Sequence, residues 1–316
     1  MAVYVNTNYS ALQGQRYLGN VQNQLTTTYQ RLSSGMRINS AKDDAAGLQI
    51  ADRLTSQING LNQGNRNASD GIALAQTAEA GMDEISGMLQ KIRTLAVQAN
   101  NGTNTMEDKK ALSKEASALA TEISRIAKQT TFAGKTILNG QGAKAFMTGA
   151  QADAGKTQTL QLQVGSNKGD TISFNLENLI FSKIAESGKI AGANNIGDVI
   201  GDATKTFTKD NTGDTMKVNF SVANAPENII DYMDKMIGYV DGLRADLGAI
   251  QNRLESSIRN QSNVAANEAD ARSRIRDADF AEESANLSQQ SIIQQAAASM
   301  LMQANTRPQL GLSLLG

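Results

Sequence analysis

The chain of 316 residues carries 30 Lys and Arg against 31 Asp and Glu, and this net charge of −1 provides no field that would attract nucleic acid or an anionic membrane surface. It contains no histidine and no cysteine, which excludes thiolate nucleophiles, the usual zinc sites and catalytic triads with an imidazole base, so we expect no enzyme, no cofactor and no metal. Aromatic residues make up only 4% of the chain, which favours long paired helices with thin aliphatic cores.

The first predicted helix has apolar residues at alternating steps of about three and four, the pattern of a helix that pairs along a narrow seam. Its seam consists of Leu18, Val21, Leu25, Thr28 and Leu32. Gly35 is expected to end this helix. Ser40 and Asp43 have the spacing of a capping box, which predicts that a second helix begins near Ala41.

The second helix should be long, because the same alternation continues through a stripe that is typical of a buried core. The stripe comprises Ala75, Ala78, Met82, Ile85, Leu89, Ile92, Ala96 and Ala99. Asn100, Asn101 and Gly102 are expected to end it, and Thr105 with Asp108 predicts a cap for a third helix. The apolar face of that helix contains Leu112, Ala116, Leu119, Ile123 and Ile126.

The period changes to two between about residues 130 and 225, which indicates β-structure. Two alternating runs, 160–164 and 172–176, predict a β-hairpin whose loop contains several residues. Two further segments imitate phosphate-binding motifs, at 150–157 and 140–145. Neither is followed by the helix that such a motif needs, so we interpret them as a polar loop and a turn.

Helical spacing returns after Pro226, a residue suited to the first turn of a helix. The apolar face of this helix contains Met236, Val240, Leu243, Leu247, Ile250, Leu254 and Ile258. From Arg272 the composition shifts to Ala, Gln and Ser, which predicts a last helix that its neighbours can approach closely. Both ends of the chain carry only narrow apolar seams, and such helices are marginal alone. We therefore expect the terminal helices to pair with each other and with further copies of the chain.

Motifs at both ends of the chain closely resemble those of bacterial flagellins, over about residues 1–180 and 222–316. In chain order they are Val5-Asn6-Thr7-Asn8, Arg31-Leu32-Ser33-Ser34-Gly35, residues 37–47 (RINSAKDDAAG), residues 247–253 (LGAIQNR), Ala271-Arg272-Ser273-Arg274-Ile275 and Asp277-Ala278-Asp279-Phe280.

The resemblance implies a mainly α fold of long paired helices, with terminal coiled-coil helices, a helical bundle and a small β-hairpin region in the middle of the chain. We expect residues 1–39 and 276–316 to form the terminal coiled-coil domain and residues 40–181 and 222–275 the bundle with the hairpin. Residues 182–221 are expected to be a short variable surface excursion, where many flagellins insert outer domains.

The resemblance also implies function: a structural subunit that polymerises into the extracellular flagellar filament for motility. The implied partners are other copies of the chain, an export chaperone, the filament cap protein and the hook–filament junction protein. Residues 1–12 lack the features of a cleaved signal peptide, and no run approaches the roughly 18 apolar residues of a membrane span. We therefore expect export through the flagellar type III pathway, and neither a membrane nor a nucleic acid as a partner.

Two sets of residues are expected to make contacts with partners. Subunit packing is assigned to Leu18, Val21, Leu25, Leu32, Leu287, Leu301, Leu312 and Leu315. Resemblance to the receptor-binding stretch of activating flagellins implies that the host Toll-like receptor for flagellin recognises Gln90, Lys91, Arg93, Leu95 and Glu115. Lys91 and Thr94 replace an Arg and a Glu of that stretch, so recognition should be weaker than for the best ligands. The alternative is that these residues serve only core packing and filament contacts.

Two other functions remain open at this stage. A flagellin-like protein that joins hook to filament would have the same kind of chain ends, and copy number in purified filaments would distinguish it. An adhesin or host-receptor ligand would be a second role of the same surface.

Overall fold

A computed structural model describes residues 7–139, 158–187, 200–201, 206–209, 216–222 and 224–313. The chain divides into two compact units, Met1–Asn59 with Asn263–Gly316 and Gly60–Ser262. We call them the terminal unit and the central unit. The expected mainly α fold is confirmed. The expected domain boundaries stay a prediction, and the two segments that imitate phosphate-binding motifs lie outside the described residues.

Helices α1 (Tyr9–Ser34) and α6 (Phe280–Ser313) belong to the terminal unit. The Asn8 side chain accepts a hydrogen bond from the backbone N–H of Ala11 and so caps the start of α1. Gly35 ends α1 as predicted, with a φ of 69° that favours glycine, and its N–H donates to the carbonyl of Arg31.

The predicted start of the second helix was wrong by a few residues, because α2 runs from Ala45 to Ala99. Asp43 accepts hydrogen bonds from the backbone N–H groups of Asn39 and Ser40, which closes a turn and lowers the pKa of its carboxyl. The next residue, Asp44, accepts from the N–H groups of Ala46 and Gly47. The residues of the expected capping box thus form a turn ahead of the helix, and Asp44 is the cap.

The core of the central unit lies among α2, α3 (Met106–Gln129) and α5 (Ala225–Arg276). Every residue of the predicted α2 stripe is at most 2% exposed. The capping box of Thr105 and Asp108 at the start of α3 is confirmed. Side chains of α5 pair with α2 in antiparallel order, since Asp234 bonds Arg93 and Asp241 bonds Ser86.

The predicted hairpin is also confirmed: β3 (Gln158–Gln163) pairs antiparallel with β4 (Thr171–Leu176), and Leu160 lies opposite Phe174. It packs closely on α2 at Gly64, where a Cβ atom would lie 1.9 Å from the carbonyl oxygen of Val164. Only glycine permits this approach. A smaller hairpin joins β1 (Thr131–Phe132) to β2 (Lys135–Thr136).

The segment 182–221 is not merely a surface excursion, because its described part contributes to the core. It contains the end of α4 (Phe181–Ser187) and the strands β5 (Ile200–Gly201), β6 (Phe207–Lys209) and β7 (Met216–Val218). Its side chains that are at most 2% exposed include Ile184, Phe207, Met216, Val218 and Phe220. Two serines of α3 fix this segment from outside it, since Ser117 accepts from the N–H of Val218 and Ser113 from that of Phe220.

Candidate assembly surface

The two terminal helices pair in antiparallel order. The Asn8 amide donates to the carbonyl of Ala304 at 2.8 Å, and a Cβ atom at Gly14 would lie 3.1 Å from Leu301. Further along, Thr28 donates to the side chain of Gln290 at 3.1 Å. The seam that the sequence predicted for α1 therefore faces α6.

An ion pair between Arg31 and Glu283 crosses this seam at 3.1 Å. The Glu283 side chain is only 9% exposed, and the Nε atom of Arg31 is buried without a hydrogen-bond partner. The Arg31 side chain is 32% exposed, so the pair is only partly buried and contributes little net stability, but loss of Arg31 would leave the charge of Glu283 uncompensated.

The assigned packing residues are only partly covered within one chain. Val21 is buried, at 4% exposure. The half-buried residues are Leu18, Leu25, Leu32, Leu287 and Leu301. The side chain of Leu312 and the whole of Leu315 lie outside the described residues. Since stabilisation by burial scales with the apolar area removed from water, this seam gains less than a complete core would.

Large apolar side chains also project outwards from both helices, and we call them the outer apolar surface. Its members, all more than half exposed, are Tyr9, Leu12, Tyr17, Tyr29, Phe280, Ile292, Met300 and Met302. A groove of about 830 Å³ lies between the helices, lined by Gly14, Tyr17, Ile293, Ala297 and Met300 among others. An apolar area of this kind is typical of a surface that binds another protein.

Sequence reasoning missed the contact between the two connectors that precede α2 and α6. The N–H of Arg37 donates to the carbonyl of Arg276 at 2.7 Å, and the N–H of Ala278 donates to the carbonyl of Gly35 at 3.0 Å. The Arg37 guanidinium adds a bond to the carbonyl of Ile275. These bonds join residues far apart in the chain and mainly use backbone groups, so no local pattern could have indicated them.

The residues assigned to receptor recognition do not all reach the surface. Gln90 is exposed, and Lys91 and Glu115 form an exposed ion pair at 3.6 Å. Arg93 bonds Asp234 through two nitrogen atoms, at 2.5 and 3.2 Å, and this pairing raises the pKa of the guanidinium. Leu95, in contrast, is 7% exposed and belongs to the core of the central unit. Its inclusion in an exposed face was wrong for the single chain.

Over the described residues, no three acidic side chains come together in a way that could hold a metal ion. None of the helices in that part of the chain is long and apolar enough to span a bilayer.

Comparison with known proteins gives matches over most of the chain. The family model of the bacterial flagellin N-terminal helical region matches residues 5–143, and that of the C-terminal helical region matches residues 230–315. Polar flagellin C of Vibrio parahaemolyticus is 36% identical over 383 aligned positions, and flagellin B of Vibrio cholerae is 37% identical over 376. Both alignments cover 100% of this chain and of the relative.

A solved structure from Vibrio parahaemolyticus, assigned as a flagellar hook-associated protein, has a TM-score of 0.53 and 15% identity. The match covers 74% of this chain and 100% of the other. At this identity the likeness concerns the fold alone.

Proposed function

This chain belongs to the bacterial flagellin family, and on that premise we propose that its copies join through the outer apolar surface of α1 and α6. The chain is a structural subunit of the extracellular flagellar filament and not an enzyme, and it polymerises with itself.

The incomplete burial of the helix pair carries this proposal. Among the described side chains of α1 and α6, Val21 and Ala297 are the apolar ones that are buried, at 4% and 7% exposure. Ile292, Met300 and Met302 are each at least 67% exposed. A neighbouring copy that covers them adds about 25 cal/mol for each Å² of apolar area removed from water. Where different surfaces of two copies meet and the rotation does not close, the contacts extend into a filament.

Replacement of Ile292 by Ser tests this surface. Ile292 is 67% exposed on α6, so the substitution removes an outward apolar contact without opening a cavity inside the chain. We expect Ile292→Ser to reduce the amount of protein that sediments after monomer is seeded with filament fragments. The matched control is Gln295→Ser, an exposed position on the same helix that should assemble normally. Equal yields for the two variants, with unchanged circular dichroism of the monomers, would contradict the proposal.

We further propose export through the flagellar type III channel, with a chaperone bound near the C-terminal end, followed by addition beneath the cap. The exposed apolar residues of α6 support a chaperone, because they need cover before assembly. Calorimetric titration of purified chaperone into the full chain and into a chain that ends at residue 275 tests this. Equal affinity for the two chains would place the chaperone site elsewhere.

A protein of the hook–filament junction would be present in only a few copies in each filament. Quantitative mass spectrometry of purified filaments gives the copy number, and a dominant component is expected here because the similar full-length relatives are flagellins. The protein that joins the first copies to the hook is then a separate partner.

Recognition by the host Toll-like receptor for flagellin is proposed for Gln90, Lys91, Arg93 and Glu115. The support is that all four have substantial side-chain exposure or an exposed ion pair. Because the carboxylate of Asp234 already accepts hydrogen bonds from two nitrogen atoms of the Arg93 guanidinium, the receptor would have to share or displace that contact. In a reporter-cell assay with monomer, Lys91→Arg should raise the signal and Arg93→Ala should lower it. An unchanged signal for Arg93→Ala would rule out this placement, and Arg125→Ala is a control on an exposed residue of α3.

A further inference from the structure

The described methionines range from buried to exposed, with Met36 and Met88 half-buried between these extremes. Among the described residues, Met82, Met216, Met233 and Met236 are core side chains at most 2% exposed. Met300 and Met302 are 70% and 67% exposed, and Met106 is 57% exposed. Water-borne reagents therefore reach the sulfur atoms of these last three residues in the folded chain.

The exposed methionines lie in different parts of the molecule. Met300 and Met302 are on α6 in the terminal unit, and Met300 also borders the groove with Tyr17 and Ala297. Met106 is the first residue of α3 in the central unit. The first two belong to the surface through which copies are proposed to join, whereas Met106 does not.

An exposed thioether reacts with a peroxide by a simple oxygen transfer. The sulfur attacks one oxygen of hydrogen peroxide, the O–O bond breaks, and the products are a sulfoxide and a molecule of water. The sulfur loses two electrons and the peroxide gains them. The reaction changes a flexible apolar side chain into a polar one with a strong acceptor oxygen.

We propose that Met300 and Met302 are a peroxide-sensitive site that controls whether a free subunit can join the filament. The inference rests on the proposed joining surface. A sulfoxide oxygen buried there without a donor opposes association, so the critical concentration for assembly should rise about tenfold for a penalty of about 1.4 kcal/mol. Reduction by two thiols, which form a disulfide and release water, restores the thioether and the ability to assemble when methionine sulfoxide reductases catalyse it.

The experiment treats full-length monomer with hydrogen peroxide and measures both chemistry and assembly. Peptide mass mapping locates each added oxygen, and sedimentation after seeding measures assembly. We expect oxidation at Met106, Met300 and Met302 and loss of most of the sedimenting protein. The double variant Met300→Leu with Met302→Leu keeps apolar side chains of similar volume, and its assembly after peroxide treatment is compared with its own untreated level. We expect no difference between the two. The control Met106→Leu should remain sensitive.

Treatment of assembled filaments provides a second measurement. Met300 and Met302 should gain oxygen much more slowly in filaments than in monomer, while Met106 serves as the internal reference. Incubation of oxidised monomer with both types of methionine sulfoxide reductase and a dithiol should return assembly to the untreated level.

The outcomes separate this inference from the proposed function. If Ile292→Ser blocks assembly but oxidised Met300 and Met302 do not, the joining surface stands and the peroxide-sensitive site is rejected. If Ile292→Ser also assembles normally, the joining surface itself is wrong. If peroxide lowers the assembly of the double variant, relative to its own untreated level, as much as it lowers that of the unaltered chain, the sensitive group lies elsewhere and the inference is overturned.

Discussion

Replacement of Phe207 by Ala should destabilise the central unit, because this side chain from the middle segment is part of its core. Phe207 is 0% exposed. Its ring packs edge-on against Phe181 at a centroid distance of 5.9 Å and lies 6.0 Å from the ring of Tyr232 on α5. The substitution would therefore leave a cavity between three elements of the unit.

The expected loss follows from burial and ring contacts together. Substitution of a buried Phe by Ala costs about 3–5 kcal/mol, a value that includes the lost transfer energy and the cavity. Each kcal/mol lost from the free energy of unfolding lowers the melting temperature by about 2–4 °C for a domain of about 150–250 residues. We therefore expect the midpoint of thermal unfolding of the central unit to fall by roughly 10 °C.

Thermal unfolding of the monomer, followed by far-ultraviolet circular dichroism, measures this change. Lys217→Ala is the matched control, because Lys217 is exposed on β7 between two buried neighbours, and it should stay within about 0.5 kcal/mol of the unaltered chain. If Phe207→Ala shifts the unfolding midpoint no more than this control does, the middle segment does not stabilise the core of the central unit. The same reasoning predicts that deletion of residues 183–219, most of the segment that the sequence suggested to be a surface excursion, lowers the stability of the subunit.

Three further predictions concern the chain ends and the cap of α3. In limited proteolysis of the monomer, residues up to about 40 and beyond about 275 should be cut first, since marginal helices open readily, and both ends should be protected in filaments; equal resistance in both states would refute this. Removal of residues 303–316 should abolish seeded assembly while the central unit keeps its melting temperature, and a normal yield of filaments would show that this tail is dispensable. Thr105→Ala should destabilise the monomer by about 1 kcal/mol at pH 7 through loss of the capping box. Because the bonds from Thr105 lower the pKa of Asp108, their contribution is present above the unfolded value of about 3.9 and is lost as pH falls through the lower folded value. Urea titrations of both chains at pH 7 and well below pH 3.9 should therefore show a smaller difference in acid, and an equal difference would contradict this account.

Local sequence patterns determined much of this protein. The alternation of apolar residues indicated the helices and their buried faces, and Gly35 and the pair Thr105 and Asp108 marked helix ends correctly. These features depend on interactions within a few residues along the chain, namely left-handed backbone at glycine, side-chain capping and one-sided burial. The hairpin followed from its alternation for the same reason.

Tertiary structure decided what depends on residues distant in the chain. The polar middle segment contributes buried residues because α3 supplies Ser113 and Ser117 as hydrogen-bond partners for its backbone. Leu95 is in the core since other elements cover it, although Gln90, Lys91 and Thr94 on the same helix are exposed. Whether a side chain is buried depends on which elements pack against it. The apolar periodicity of a single sequence indicates which face of a helix or strand is apolar, but not which element covers that face.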